Sequence, residues 1–176
     1  MRRRDRAVPG ARLHPPRLPL PGKGPGAGNG PLRGRGPAAP AEAPLKEDLL
    51  ATARLGHLAT ASGDGRPHVV PVCFAWLPPY IYTAIDGKPK RTMLLRRVRN
   101  ITETGRASLV VDRWSEDWKN LSYVLVEGPA EMLEDGRERD EALILLTAKY
   151  PQYDDLPLAG NLVIKLTAER TVEWHA

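Results

Sequence analysis

Lys88, Lys90 and Arg91 crowd into four residues between an apolar aromatic run, YIYTAI at 80–85, and the amphipathic segment that follows. The periodicity predicts a helix over about 90–103, so these cations fall at its start. The first turn of a helix leaves N–H groups unpaired and carries partial positive charge. Cations there are mildly repelled, by roughly a few tenths of a kcal/mol each. Crowding them makes sense if an anion sits among them. Backbone N–H groups with these three side chains would cradle a phosphate. The preceding strand adds an apolar wall and the Thr83 hydroxyl, which suits a flat heterocycle with a phosphate tail. A solvated basic helix end fits the residue pattern equally well. The sequence has neither G-x-G-x-x-G nor a Walker A stretch, so phosphate binding would rest on side chains and the helix end.

The remaining titratable residues form no catalytic set, and no catalytic residue is assigned. His57 and His68 flank a predicted hairpin without Cys or carboxylate at ligand spacing, so no metal site is expected. His68 has two readings, a hydrogen-bonded strand histidine or a proton donor to substrate. Asp86 and Asp112 read as turn and surface carboxylates. Cys73 lies in an apolar run and reads as a small buried hydrophobe.

Several elements must position these residues. LKEDLLATARL (45–55) has helical spacing at Leu45, Leu49, Leu50 and Ala53. GHLATAS, the GDG turn, RPHVVPVCFAW, a Leu-Pro-Pro turn and PPYIYTAI read as two successive hairpins. Proline cannot donate to a ladder, so Pro71 marks an edge, a bulge or an interrupted face. In the 90–103 helix Leu94, Leu95, Val98 and Ile101 form the apolar stripe, with Arg96, Arg97 and Arg99 off it. ASLVVDRW and LSYVLVEGPAEML read as strands, GRERDEALILLTAKY (136–150) as a helix, and NLVIKLTAERTVEW as a closing strand. Mostly antiparallel strands with few helices predict an α+β domain on a small barrel.

The net charge of +5 is unevenly spread. Residues 1–44 hold nine Lys/Arg against Asp5 and Glu42, along with ten prolines and eight glycines. That composition cannot offset its ordering entropy and predicts a disordered tail. It reads as dispensable or as a basic arm. The rest has 17 basic and 19 acidic residues, so a nucleic-acid surface is not expected there. Residues 45–176 are expected to form one domain. A single cysteine fits a reducing, cytoplasmic compartment. No apolar run nears the ~20 residues that span a bilayer. No apolar run follows the N-terminal arginines, so no secretory leader is expected.

The stretches DGRPHVVPV and KPKRTMLLRRVRNI, with RASLVVD and VEGPAEML after them, resemble the pyridoxamine 5′-phosphate oxidase-like split β-barrel superfamily. They are most similar to its branch of F420-dependent oxidoreductases, over about Leu49 to Trp174. The resemblance implies an α+β, mostly antiparallel split β-barrel with a few flanking helices. It also implies a homodimer with two cofactor sites at its interface and a small organic substrate. By it Lys88, Lys90 and Arg91 take the cofactor phosphate. The main chain of Val70, Pro71 and Val72 runs along the ring, and Thr83 reaches the ribityl chain or phosphate. Trp118, or its neighbour Trp114, closes the site from the other subunit, packing being the alternative role. The cofactor is coenzyme F420, with FMN as the alternative, because both carry a phosphoribityl group. F420 adds an acidic glutamyl tail, which Arg96, Arg97 or Arg99 near the mouth would favour. A cofactor carrier without catalysis, or a nucleic-acid binder working through the tail, is the third reading. The oxidase's own C-terminal substrate features are absent from KLTAERTVEWHA, so vitamin B6 chemistry is not expected.

Overall fold

The computed structural model describes residues 45–85, 95–156 and 158–176. The basic arm 1–44 and the cluster Lys88, Lys90 and Arg91 lie outside the described residues. The order is α1 (Leu45–Thr52), β1 (Gly56–Ala61), β2 (Pro67–Val72), β3 (Ala75–Leu77), β4 (Tyr80–Ala84), α2 (Arg96–Thr104), β5 (Arg106–Arg113), β6 (Ser122–Leu133), α3 (Arg137–Lys149), β7 (Val163–Thr167) and β8 (Arg170–His175). All pairings are antiparallel, in the order β2-β1-β5-β6-β7-β4-β3, with β8 also on β6. The curled half-barrel with three helices is the α+β split barrel expected.

Both predicted hairpins form, β1/β2 through the turn at 62–66 and β3/β4 through the two prolines. Among the described residues β2 pairs with β1 alone, so Pro71 sits on an edge strand and its missing N–H costs no ladder bond. Two expected strands are each broken in two. The run 67–77 divides at Cys73–Phe74 because the chain leaves one end of the sheet order for the other. The Phe74 backbone there bonds to a side chain instead of a strand: its N–H donates to the Tyr150 hydroxyl at 3.0 Å. The closing strand divides at Ala168–Glu169, opposite the Gly128–Pro129 bend of β6. The first half of β6 pairs with β8 and its last residues pair with β7. The Ala168 N–H is diverted to the Pro79 carbonyl at 2.9 Å.

The middle helix also differs from expectation. Leu95 is extended (φ −64°, ψ 132°), so α2 begins at Arg96. The expectation for Lys88, Lys90 and Arg91 at a helix start falls on residues outside those described. The cations in the first turn of α2 are Arg96, Arg97 and Arg99, with no acid among them. The helix ends at Gly105, whose φ of 65° is left-handed and suits a residue without a Cβ.

Alternation along the strands divides the side chains into two layers. One core joins Leu49 and Leu50 of α1 and Val98 and Ile101 of α2 to Leu58, Leu109, Val111, Val124 and Val126 of the sheet. The other joins Ala142, Leu143, Leu146 and Tyr150, in or just after α3, to Ala75, Tyr82, Ala84 and Val163. A polar latch holds the start of α3. The Tyr82 hydroxyl donates to Glu138 at 2.9 Å, and Lys165 pairs with Glu138 at 2.7 Å and Glu131 at 3.4 Å. No described helix is long and apolar enough to cross a membrane.

Candidate functional site

The two faces of the β2-β1-β5-β6-β8 sheet differ. Inward residues such as Leu58, Leu109, Val124 and Val126 are buried under α1 and α2. Outward residues align across the strands in rows: Val69, Ala59, Ser108, Glu127 and Arg170 in one, and Pro71, His57, Val110, Leu125 and Val172 in the next. None of these outward residues joins either core, and Val69 is 58 % exposed. Among the described residues this face has no helix over it, although it is largely apolar. The next row holds Asp112, Tyr123 and Trp174. The Tyr123 and Trp174 rings stack at 5.6 Å, and His57 Nδ1 lies 3.9 Å from Asp112 Oδ1.

A groove of about 400 Å³ opens where β1, β5 and β6 meet the start of β2. Small residues make it: Ala59, Ala61, Ala107, Ser108 and Gly128, with Pro67 at the β2 side. A larger groove of about 690 Å³ runs along α3 past Leu143, Ile144 and Gly160. None of its lining residues comes from β1, β2 or α2, so it is separate from the residues singled out by sequence.

α2 packs on the inner side of the same sheet. Asn100 Nδ2 donates to the Thr60 hydroxyl at 3.0 Å, both residues buried, which fixes the helix on β1. His68 pairs opposite Thr60, and α2's first turn brings Arg96 and Arg97 close enough to act on its imidazole. Burial lowers the His68 pKa below the ordinary histidine value, and the two guanidinium groups lower it further. Both effects favour the neutral imidazole over the charged form.

The sequence-singled residues distribute as follows. Val70 and Val72 turn inward against the core, whereas Pro71 faces out beside Val69. Thr83 lies on β4 opposite Ile164, is 4 % exposed, and shares the inward face of the core residues Ile81 and Ile85. Ile85 ends the described part of β4's exit, and Leu95 starts the next described stretch. The segment carrying Lys88, Lys90 and Arg91 joins those two points. Trp114 and Trp118 are 66 % and 69 % exposed, on the β5–β6 connection. That connection leaves β5 beyond Asp112, at the end of the sheet where β2 finishes and β1 begins. The chain thus brings β2 and the arginines of α2 together. Thr83 belongs to the opposite part of the strand order. No group of three or more His, Cys, Asp or Glu suited to a metal occurs among the described residues.

Sequence reasoning missed Asn100, the stacked Tyr123–Trp174 pair and the uncovered face. Asn100 sits beside the apolar stripe, and nothing local marks it as buried. The outward rows depend on strand order, which periodicity does not report.

Residues 44–175 match the pyridoxamine 5′-phosphate oxidase family. No curated protein matches the chain. Solved structures share the fold. HutZ, a heme storage protein from Vibrio cholerae, is 17 % identical with a TM-score of 0.56, over 69 % of this chain and 85 % of that one. A FAD-binding protein from Mesorhizobium loti is 22 % identical with a TM-score of 0.56, over 72 % and 88 %. An F420 reductase is 23 % identical with a TM-score of 0.53, over 72 % and 94 %. At these identities the likeness is one of fold. The family match covers nearly all of the described chain, and the half-barrel it implies is the one observed. On both grounds the protein belongs to the pyridoxamine 5′-phosphate oxidase family.

Proposed function

We propose that this chain is an oxidoreductase that binds coenzyme F420 and transfers a hydride between it and a small organic substrate. The observation that carries the reading is that the first turn of α2 brings Arg96 and Arg97 to His68 on the edge strand β2, whose opposite face is exposed at Val69 and Pro71. A flat ring needs an apolar, sterically open strip, and its phosphate needs a cluster of cations. The residues fit both demands. Main chain at Val70, Pro71 and Val72 would hold the ring, and Lys88, Lys90 and Arg91 would hold the phosphate. Arg96 and Arg97 add positive charge beyond what one phosphate requires, which favours the deazaflavin with its acidic tail over FMN. The bound cofactor supplies the two-electron chemistry. The protein's part is to position the ring, neutralise the phosphate and exclude water. The apolar outer rows would meet a second copy, so two sites form at the interface of a homodimer, with Trp118 or Trp114 closing each. FMN is the second reading, supported by the FAD-binding neighbour.

The test is tryptophan-fluorescence titration with F420, FMN and hemin in parallel, on the full chain and on a chain shortened to start at Leu45. Saturable binding that favours F420, equal in both chains, supports the proposal. Preference for FMN moves the chain to the flavin enzymes. Preference for hemin places it beside the heme-storage neighbour. Affinity that resides in residues 1–44 and falls steeply with salt points to a nucleic-acid role. Lys90→Ala is expected to weaken F420 binding about tenfold or more with an unchanged circular dichroism spectrum, since a charge-assisted phosphate contact is lost. Unaltered affinity would remove Lys90 from the site.

The dimer gives a separate readout. Val69→Glu places a charge at the exposed β2 end of the outer rows. Light scattering is expected to show a dimer for the parent and a monomer for the variant, because an unpaired charge is costly inside an apolar interface. A variant that remains dimeric would put the interface elsewhere.

A further inference from the structure

Lys149, the last residue of α3, keeps its side-chain nitrogen where no carboxylate among the described residues pairs with it. Nζ donates to the Leu50 carbonyl at 3.3 Å and lies 4.0 Å from the Phe74 ring centroid and 5.7 Å from that of Tyr150. The charged group beside it has the same sign. The Arg54 guanidinium lies 4.6 Å from the Tyr150 centroid and donates to the carbonyl of Lys149 itself at 2.6 Å. The remaining titratable neighbours are Cys73, on the β2–β3 crossing, and Tyr150. Two other described lysines differ. Lys165 pairs with Glu131 and Glu138, and Lys46 pairs with Glu47. Deprotonating Lys165 would break two ion pairs. Deprotonating Lys149 breaks no ion pair: it gives up the cation–π attraction to Phe74, while the neutral amine still donates to the Leu50 carbonyl.

We propose that Lys149 is a covalent acylation site, the amine that takes an acyl group from acyl phosphates or thioesters ahead of the other described lysines. The side chain is partly exposed, so a small acyl donor reaches it. Its nitrogen lone pair attacks the acyl carbonyl carbon, and the C–N bond forms as the bond to phosphate or thiolate breaks. The leaving group departs with that electron pair, and the surplus proton passes to solvent. The product amide is neutral and keeps one N–H for the Leu50 carbonyl. It also ends the repulsion with Arg54. Burial, followed by Arg54, lowers the amine to about 8, which supplies neutral nucleophile near physiological pH.

The full chain is incubated with acetyl phosphate between pH 6.5 and 10, and acetylation is followed peptide by peptide by mass spectrometry. At pH 7.5 Lys149 is expected to react about tenfold faster than Lys46, Lys119 or Lys165. Its far larger neutral fraction outweighs the lower intrinsic nucleophilicity of a less basic amine. Its rate rises with pH around a midpoint near 8, and Arg54→Gln moves that midpoint upward. In denaturing urea the advantage of Lys149 disappears. Equal rates in the folded chain, or a midpoint near that of an ordinary lysine, would overturn the assignment.

Discussion

Gly128→Ala is expected to cost more than about 3 kcal/mol and to lower the melting temperature by roughly 10 °C or more. A Cβ at this position would lie 2.0 Å from the Thr167 carbonyl oxygen and 3.0 Å from the Glu169 nitrogen. Both are backbone atoms at the β7–β8 break, so neither can rotate away as a side chain would. The strand cannot shift either, because β6 is held by β5 on one edge and by β8 and β7 on the other. Relief would require breaking ladder bonds that have no alternative partner. Gly63→Ala is the control. Its Cβ would meet only the Glu103 carboxylate, the far end of a flexible side chain, so its cost stays below about 1 kcal/mol. Urea unfolding of both variants measures the difference. Equal midpoints would show that the crossing can widen, and the close approach at Gly128 would then not explain the bend.

Tyr150→Phe is expected to destabilise by about 2–3 kcal/mol. The hydroxyl accepts the Phe74 N–H at 3.0 Å and reaches the Phe74 carbonyl at 2.9 Å and the Arg54 carbonyl at 3.1 Å. With one proton it donates to one carbonyl at a time. Removing it leaves a buried N–H without a partner at the point where the chain leaves one end of the sheet order for the other. Such a donor costs more to strand than its bond contributes when made. The ring itself stays packed against Leu146 and its neighbours, so the loss isolates the hydroxyl. Hydrogen exchange at the Phe74 amide gives the specific readout. Faster exchange with lower global stability is the expected pair of results. Unchanged protection at Phe74 would mean that the amide keeps a buried acceptor without the hydroxyl, and the stability change should then fall below about 0.5 kcal/mol. Because Phe74 follows β2 by two residues, loosening it also frees the end of the strand proposed to carry the cofactor ring.

The hairpins, the helices around α1 and α3 and an irregularity in the ladder at Pro71 were all legible in the residue order, the choice of an edge over a bulge coming from the strand order. Each depends on contacts within a few residues or on a chemical fact about one residue. Alternation in GHLATAS and PHVVPV marks a strand wherever it lies in the sheet, and a proline lacks its N–H in any fold. The division of charge between residues 1–44 and the rest was equally plain, as was the likeness of DGRPHVVPV and KPKRTMLLRRVRNI to a family. The start of α2 was misjudged because Leu95 continues the apolar stripe backward although its backbone is extended. Hydrophobic period cannot tell a helical leucine from an extended one beside it.

The tertiary structure decided the rest, because it depends on which strands become neighbours. Strand order sets Val69, Ala59 and Val110 on one uncovered face, a face that exists only once β5 lies between β1 and β6. The same packing brings Arg96 and Arg97 to His68 across a separation of some thirty positions, through a buried Asn100–Thr60 bond that no local pattern announces. Gly128 is required by a carbonyl 39 positions away, and the Phe74 backbone by a hydroxyl 76 positions away. Local propensity chooses the elements one at a time. Long-range registers choose which side chains share a surface, and that choice places the candidate site.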